Sequence, residues 1–332
     1  MKAILVNDDK SLRWDDVPNP VLEEGEVLVE IHAAALNRAD LMQRAGEYPP
    51  PPGCPEWPGL EIAGVIKEMS PEAVTESGWK VGDKVCALLG GGGYAEFVAV
   101  HHSMLMPIPN GISMIEAAAL PEAFATAYLN LFIEGGAKKG DTLLMHAGAS
   151  GLASVIIPMA KAFGLRVITS VLSADIAKSI SHLNADVVVD TSTESITDVL
   201  KREADNGHPL NIAIDCLGSE KVGECFPYVA YGCRWIMIAT LAGDKTDVNL
   251  RTMYMKNIRL IGSTLRSKPP TVKAEILSSL VKEVWPKVES GEVRPTIYAT
   301  LPITKAEEAH ALLEKGESVG KVVLTVKENE SV

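Results

Sequence analysis

The chain has no Cys-x-x-Cys pair, and its five cysteines, Cys54, Cys86, Cys216, Cys225 and Cys233, are scattered. This excludes a four-cysteine zinc lobe and argues against a disulfide framework, so buried free thiols are expected. The seven histidines also lack ligand spacing. His101 and His102 are adjacent, and on a strand neighbouring side chains face opposite ways, so the pair should not share a metal. Nowhere do 18 apolar residues run together, which excludes a membrane-spanning helix. The opening MKAILVNDDK lacks the apolar core of a secretory leader, so a cytoplasmic protein is expected. Basic residues are in deficit: 31 Lys and Arg face 43 Asp and Glu, for a net charge of −12. That balance repels nucleic acid and anionic membrane, and neither is expected as a partner.

What is present is apolar and regularly punctuated. With 332 residues, 47% hydrophobic and 22% charged, the chain can build about two cores. The first third reads as short strands, Lys2–Asn7, Val27–Ala34, Gly59–Glu68, Asp83–Leu89 and Tyr94–Val100, separated by Pro- and Gly-rich turns. Only Leu36–Arg44 reads there as a helix, so a small barrel-like β unit is predicted. Ile115–Phe132 is an alanine-rich, two-sided apolar stretch and predicts one buried connecting helix. From Thr142 to Thr264, six short apolar strands alternate with helices. This pattern predicts a doubly wound parallel sheet, and an α/β fold overall. The tail after residue 265 is too short for a third core and is expected to return to the first domain. The expected organisation is 1–120 catalytic, 121–264 dinucleotide-binding and 265–332 returning.

The segment Leu143–Ala153 lies where the first of the six strands meets a helix, the context that gives a glycine pattern meaning. It reads Gly148-x-Ser150-Gly151-x-Ala153, with Ser150 where a second glycine would let backbone approach a diphosphate. Gly148, Ala149, Ser150, Gly151 and Leu152 are the predicted cradle, with the amides of Ser150 to Leu152 meeting the anion at the helix start. An acid binding a ribose 2′-hydroxyl is expected about 20 residues on in NAD proteins. Ile168–Ser173 contains none, which permits NADP. Ser170, Ser173, Lys178 and Arg166 are the nearby polar and cationic candidates.

Three longer runs, Ala34–Arg44, Gly46-Glu-Tyr48-Pro and Pro58–Gly64, resemble the medium-chain dehydrogenase/reductase superfamily. More narrowly they are similar to its zinc-free quinone oxidoreductase branch, of the p53-inducible NADPH quinone reductase type. Gly92–Phe97, Leu120–Asn130, Gly262–Arg266 and Gly320–Leu324 extend the likeness over nearly the whole chain. The resemblance implies a GroES-like catalytic domain, a Rossmann domain, NADPH in the cleft between them, and a homodimer. The family's zinc-ligand positions fall on Asn37, Leu60 and Glu122, a poor donor set, which implies metal-free chemistry.

By the same resemblance, Asn37 would meet the nicotinamide ribose or substrate. Tyr48, Tyr128 and Asp40 would line the substrate pocket, with Tyr48 and Asn37 catalytic; the alternatives are a core place for Tyr128 and a cap or brace of the Leu36–Arg44 helix for Asp40. Lys321 and the Thr264–Leu265 backbone would lie beside the nicotinamide. Leu172, Ile176 and Thr191 depart from the family's NADPH contacts, so NADP is favoured and NAD is not excluded. The expected activity is hydride transfer from NADPH to a small quinone or conjugated carbonyl. The rivals are an enoyl reductase and a non-catalytic protein on the same fold.

Overall fold

The computed structural model describes residues 1–316 and 319–327. Its strands, in chain order, are β1 (Lys2–Val6), β2 (Leu12–Asp16), β3 (Glu26–Ala35), β4 (Glu61–Met69), β5 (Lys84–Leu88), β6 (Phe97–His101), β7 (Leu105–Pro107), β8 (Thr142–Met145), β9 (Arg166–Val171), β10 (Val187–Asp190), β11 (Leu210–Asp215), β12 (Val229–Met237), β13 (Arg259–Gly262), β14 (Ile297–Pro302) and β15 (Lys321–Thr325). The helices are α1 (Arg38–Ala45), α2 (Pro71–Glu76), α3 (Met114–Ala118), α4 (Pro121–Tyr128), α5 (Ala153–Ala162), α6 (Ala174–Ser179), α7 (Ile196–Asp205), α8 (Val222–Cys225), α9 (Leu250–Met255), α10 (Pro270–Glu289) and α11 (Ala306–Lys315). Contacts divide the chain into two units. One comprises Met1–Ala125, Arg266–Gly291 and the chain from Pro295. The other comprises Thr126–Leu265 with Glu292–Arg294.

The first unit is GroES-like. Its main sheet runs β14-β15-β3-β4-β5-β7, with β6 also paired to β3. The tail enters this sheet directly, since Val323 to Thr325 of β15 pair antiparallel with Ala33 to Ala35 of β3. β3 has neighbours on several sides and is buried along most of its length, and its near-continuous apolar run matches that position. The second unit is a parallel Rossmann sheet in the order β10-β9-β8-β11-β12-β13. Its strand order reverses between β8 and β11, and ligands of such sheets bind outside the strands' carboxyl ends at that point. Leu144, Ile168, Val189, Ala213, Phe226 and Trp235 form the core on this sheet. Burying each large one is worth about 1.5–3 kcal/mol.

Three local expectations are corrected. The connecting helix over Ile115–Phe132 is broken into α3 and α4, because Pro121 lacks an N–H to continue α3 and instead opens α4. α4 then passes into a π-helical turn at Leu129–Glu134. α2 is a second helix in the first third. Ser70 Oγ accepts from Ala73 N at 3.2 Å and Pro71 stands at the first helical position, both legible start signals. His101 and His102 do not diverge: β6 ends at His101, the chain turns at once into a 3₁₀ segment, and the two rings lie 4.4 Å apart. Among the described residues no helix is long and apolar enough to cross a membrane.

Candidate active site

In the second unit the site begins where β8 ends. Ala147 adopts a left-handed φ of 55° and turns the chain out of the sheet. Gly148 follows because nothing larger fits. A Cβ there would stand 2.5 Å from Thr169 Oγ1 and 3.0 Å from Ile180 Cδ1. The turn is tied to β9, with Gly148 N donating to Ser170 O at 2.8 Å and His146 Nδ1 lying 2.8 Å from Ser170 Oγ.

The predicted amide register needs a correction. Ser150 N already donates to Ala147 O at 2.8 Å, and Ser150 Oγ accepts from Ala153 N at 3.1 Å. Ser150 therefore shapes the turn and accepts from the first amide of α5. Among the described residues the amides of Ala149, Gly151 and Leu152 have no acceptor, and they precede a ten-residue helix. Orphan N–H groups with the helix dipole behind them suit a diphosphate.

Beside this turn is a cavity of about 380 Å³, lined by His146, Ser170, Thr191, Asp215, Gly218 and Lys221 among others. It lies at the carboxyl ends of β8, β9, β10 and β11. Asp215 is fully buried and braces this end of the sheet, accepting from Leu217 N, Gly218 N and Trp235 Nε1 at 2.8, 2.9 and 3.0 Å.

The expected 2′-phosphate candidates do not gather around a vacant anion position. Ser170 is 2% exposed and holds the turn, while Ser173 caps α6. Lys178 is well exposed and lies 3.7 Å from Asp175. Arg166 stands at the opposite, amino end of β9, paired with Glu203 at 2.9 Å. Thr264 is exposed and Leu265 buried, just past β13.

The first unit brings Asn37, Asp40 and Lys321 into one buried polar network. Lys321 Nζ lies 2.7 Å from Glu61 Oε1 and donates to Asn37 Oδ1 at 2.6 Å. Asn37 Nδ2 donates to Glu61 Oε1 at 3.0 Å, and Glu122 N donates to Glu61 Oε2 at 2.8 Å. Lys321 is 4% exposed and Glu61 fully buried. Burial, joined by the Glu61 charge, pushes the Glu122 carboxyl up to about 7.

Asp40, expected to touch substrate, does not reach a pocket. It is fully buried and accepts from Asn37 N at 2.7 Å, Gly59 N at 3.0 Å and Tyr94 Oη at 3.1 Å. Burial raises its carboxyl to about 6 against those donors and the Lys321 charge. Its place is the start of α1, where a carboxylate three residues in bonds back to the first amide.

Tyr48 is half-buried, and the Arg266 guanidinium lies 4.8 Å from its ring centre. Burial pushes its phenol up, and the Arg266 charge opposes that. Tyr128, expected to line the substrate pocket, belongs to the other unit. It is 5% exposed with its ring 5.1 Å from Phe132, in an aromatic core.

The comparisons with known proteins agree with this frame. Residues 23–110 match the alcohol dehydrogenase GroES-like domain, and residues 183–324 match the zinc-binding dehydrogenase family. A quinone oxidoreductase from Mus musculus is 27% identical over 93% of this chain and 92% of its own. The quinone oxidoreductase from Thermus thermophilus, solved also in complex with NADPH, superposes with a TM-score of 0.82. It is 29% identical, covering 98% of this chain and 100% of that one. The chain belongs to the medium-chain dehydrogenase/reductase superfamily. A highly reducing polyketide synthase from Cordyceps militaris is 28% identical over 97% of this chain, though over only 13% of the synthase.

The superfamily's zinc-binding name prompts a test of the donors. Leu60 is buried and cannot ligate, and the Asn37 side chain is engaged by Lys321 and Glu61. Among the described residues no group of three His, Cys, Asp or Glu could hold a metal ion. These side chains do not fit zinc. An ammonium, Lys321, occupies the centre of the acidic network instead.

Glu61 and Arg266 are the functional-region residues that sequence reasoning missed. Glu61 carried a signal, a carboxylate inside the apolar run Gly59–Gly64. Arg266 closes a recognisable motif, but nothing local indicates which atoms it bonds.

Proposed function

We propose that this oxidoreductase reduces a quinone or conjugated carbonyl with NADPH, without a metal. The carrying observation is the turn at the sheet's switch point, whose three free amides suit the diphosphate of a dinucleotide. The reduced nicotinamide, when bound, supplies a hydride. The chain's residues would do the rest. Ala149, Gly151 and Leu152 amides hold the diphosphate, and the cavity by His146 and Asp215 takes the adenosine half. Asn37, locked in one orientation by Glu61 and Lys321, presents a fixed surface to the substrate. Tyr48 gives its proton to the oxygen that becomes negative as the acceptor is reduced. A quinone asks little of the protein, because its reduced form is aromatic and weakly basic, so positioning carries most of the rate.

A second reading, reduction of a conjugated thioester, is favoured by the likeness to part of a highly reducing polyketide synthase. Anaerobic stopped-flow mixing with NADPH compares the two. Oxidation of NADPH by a small quinone, faster than by an enoyl thioester, is the expected outcome. Tyr48→Phe should slow the better acceptor by about a hundredfold, the lower end of the range for a general acid. No oxidation with any acceptor, or an unchanged Tyr48→Phe, would contradict the proposal. Failure of both NADPH and NADH to bind in a titration would point instead to a non-catalytic role.

We also infer a homodimer through the open edge of the second unit. β13 ends that sheet, and Leu260, Tyr254 and Met255 are 41%, 67% and 61% exposed on or just before it. An unpaired edge with apolar neighbours invites pairing with another copy. Sedimentation equilibrium should find twice the chain mass, and Leu260→Glu should find the chain mass alone. A monomeric wild-type protein would refute this.

A further inference from the structure

Arg266 is 6% exposed, and every one of its bonds within the first unit goes to a neutral acceptor. Its Nε and Nη2 donate to Gly90 O at 3.0 and 2.7 Å, its Nη1 to Tyr48 O at 3.2 Å, and its Nη2 also to Gln43 Oε1 at 2.6 Å. None of these is a carboxylate. A guanidinium held this deeply without a paired anion is costly, and a fold that keeps one has a use for the charge or the fork.

The placement indicates which. The guanidinium carbon lies over the Tyr48 ring, and the same group bonds the Tyr48 carbonyl, so ring and backbone are gripped together. Gln43 extends the grip, since its Nε2 donates to Glu56 O at 2.7 Å, at the far end of the proline-rich segment that carries Tyr48. Arg266 is itself anchored, with its carbonyl accepting from Lys273 Nζ at 2.7 Å. The segment 46–58 has no helix or strand of its own to orient Tyr48. Side-chain bonds must therefore do so.

We propose that Arg266 is the positioning residue for Tyr48: it fixes the attitude of the ring, and its unpaired charge stabilises the phenolate left when Tyr48 yields its proton. The inference rests on the assignment of Tyr48 as proton donor. In the balanced step, hydride supplied by the reduced nicotinamide, which is thereby oxidised, would add to the β carbon of the conjugated acceptor, the C=C pair would shift toward the carbonyl carbon, and the C=O π pair would move to oxygen. The Tyr48 O–H bond breaks to protonate that oxygen, and solvent returns the proton to the phenolate. A cation over the ring favours the phenolate state, while the bonds to the Tyr48 and Gly90 carbonyls keep the hydroxyl from wandering.

The test uses the whole protein labelled with ring-¹³C tyrosine, the Tyr48 signal being identified by its loss in Tyr48→Phe. In Arg266→Met the Tyr48 phenol should titrate about one pH unit higher than in wild type. Arg266→Lys, which keeps the charge and loses the fork, should lie between. With an acceptor that the enzyme reduces, kcat of Arg266→Met should fall about tenfold with KM changed less than twofold. The same substitution should cost nothing further in a Tyr48→Phe background. An unmoved Tyr48 titration in folded Arg266→Lys and Arg266→Met, or a full additional loss in the double variant, would overturn the proposal. If Arg266→Met fails to fold, Arg266→Lys carries both readouts. The titration needs no substrate, so a protein that reduced no acceptor would defeat the assigned reaction while the Arg266–Tyr48 coupling was still judged by its own signal.

Discussion

Lys321→Met lowers the unfolding free energy by about 3–5 kcal/mol, the range for removing one partner of a buried ion pair. The size follows from burial: Lys321 is 4% exposed and Glu61 fully buried, so water cannot take over for the lost ammonium. Glu61 would keep its donors, Asn37 Nδ2 and Glu122 N, but no cation within bonding distance. The added substitution Glu61→Gln removes the stranded charge, so the double variant should recover at least half of the loss. Urea unfolding of the two single variants and the double variant measures this. Additive losses would show that the ion pair does not organise the network. Turnover should fall with Lys321→Met as well, because Asn37 loses the donor that orients it.

Gly148→Ala weakens NADPH binding by tenfold or more. Over-packing a tight site costs about 1–3 kcal/mol, and here the added Cβ meets Thr169 Oγ1 at 2.5 Å. The turn can relieve that clash only by moving the backbone of Ala149 to Leu152, the amides assigned to the diphosphate. Thr169→Ala in the same chain makes room, and part of the affinity should return. Calorimetric titration decides it: unchanged affinity in Gly148→Ala would mean that the diphosphate is held elsewhere.

The alternation of apolar strands and helices from Thr142 onward was legible because period and punctuation are local properties. So was the turn at Gly148, since a glycine between a strand and a helix has few other uses. What escaped was long-range. Asp40 is legible as a brace of its own helix, yet its further partners Gly59 and Tyr94 are brought to it only by the fold. The Lys321–Glu61 pair joins residues from opposite ends of the chain, and a one-dimensional pattern carries no trace of it. Ser150 misled in a different way. Its position in the turn suggested an amide contact to a diphosphate, whereas its amide and hydroxyl serve the turn itself. Tyr128 stayed open between pocket and core because an aromatic on an apolar helix looks the same in both, and its ring lies 5.1 Å from Phe132 in the structure.

One crystal saturated with NADPH, with diffraction also recorded at the zinc edge, tests the central claim most directly. Diphosphate density within hydrogen-bonding distance of the Ala149, Gly151 and Leu152 amides, with no anomalous peak beside Asn37, is the outcome expected. Empty density along that turn at saturation, or a zinc peak next to Asn37 and Glu122, would contradict the account.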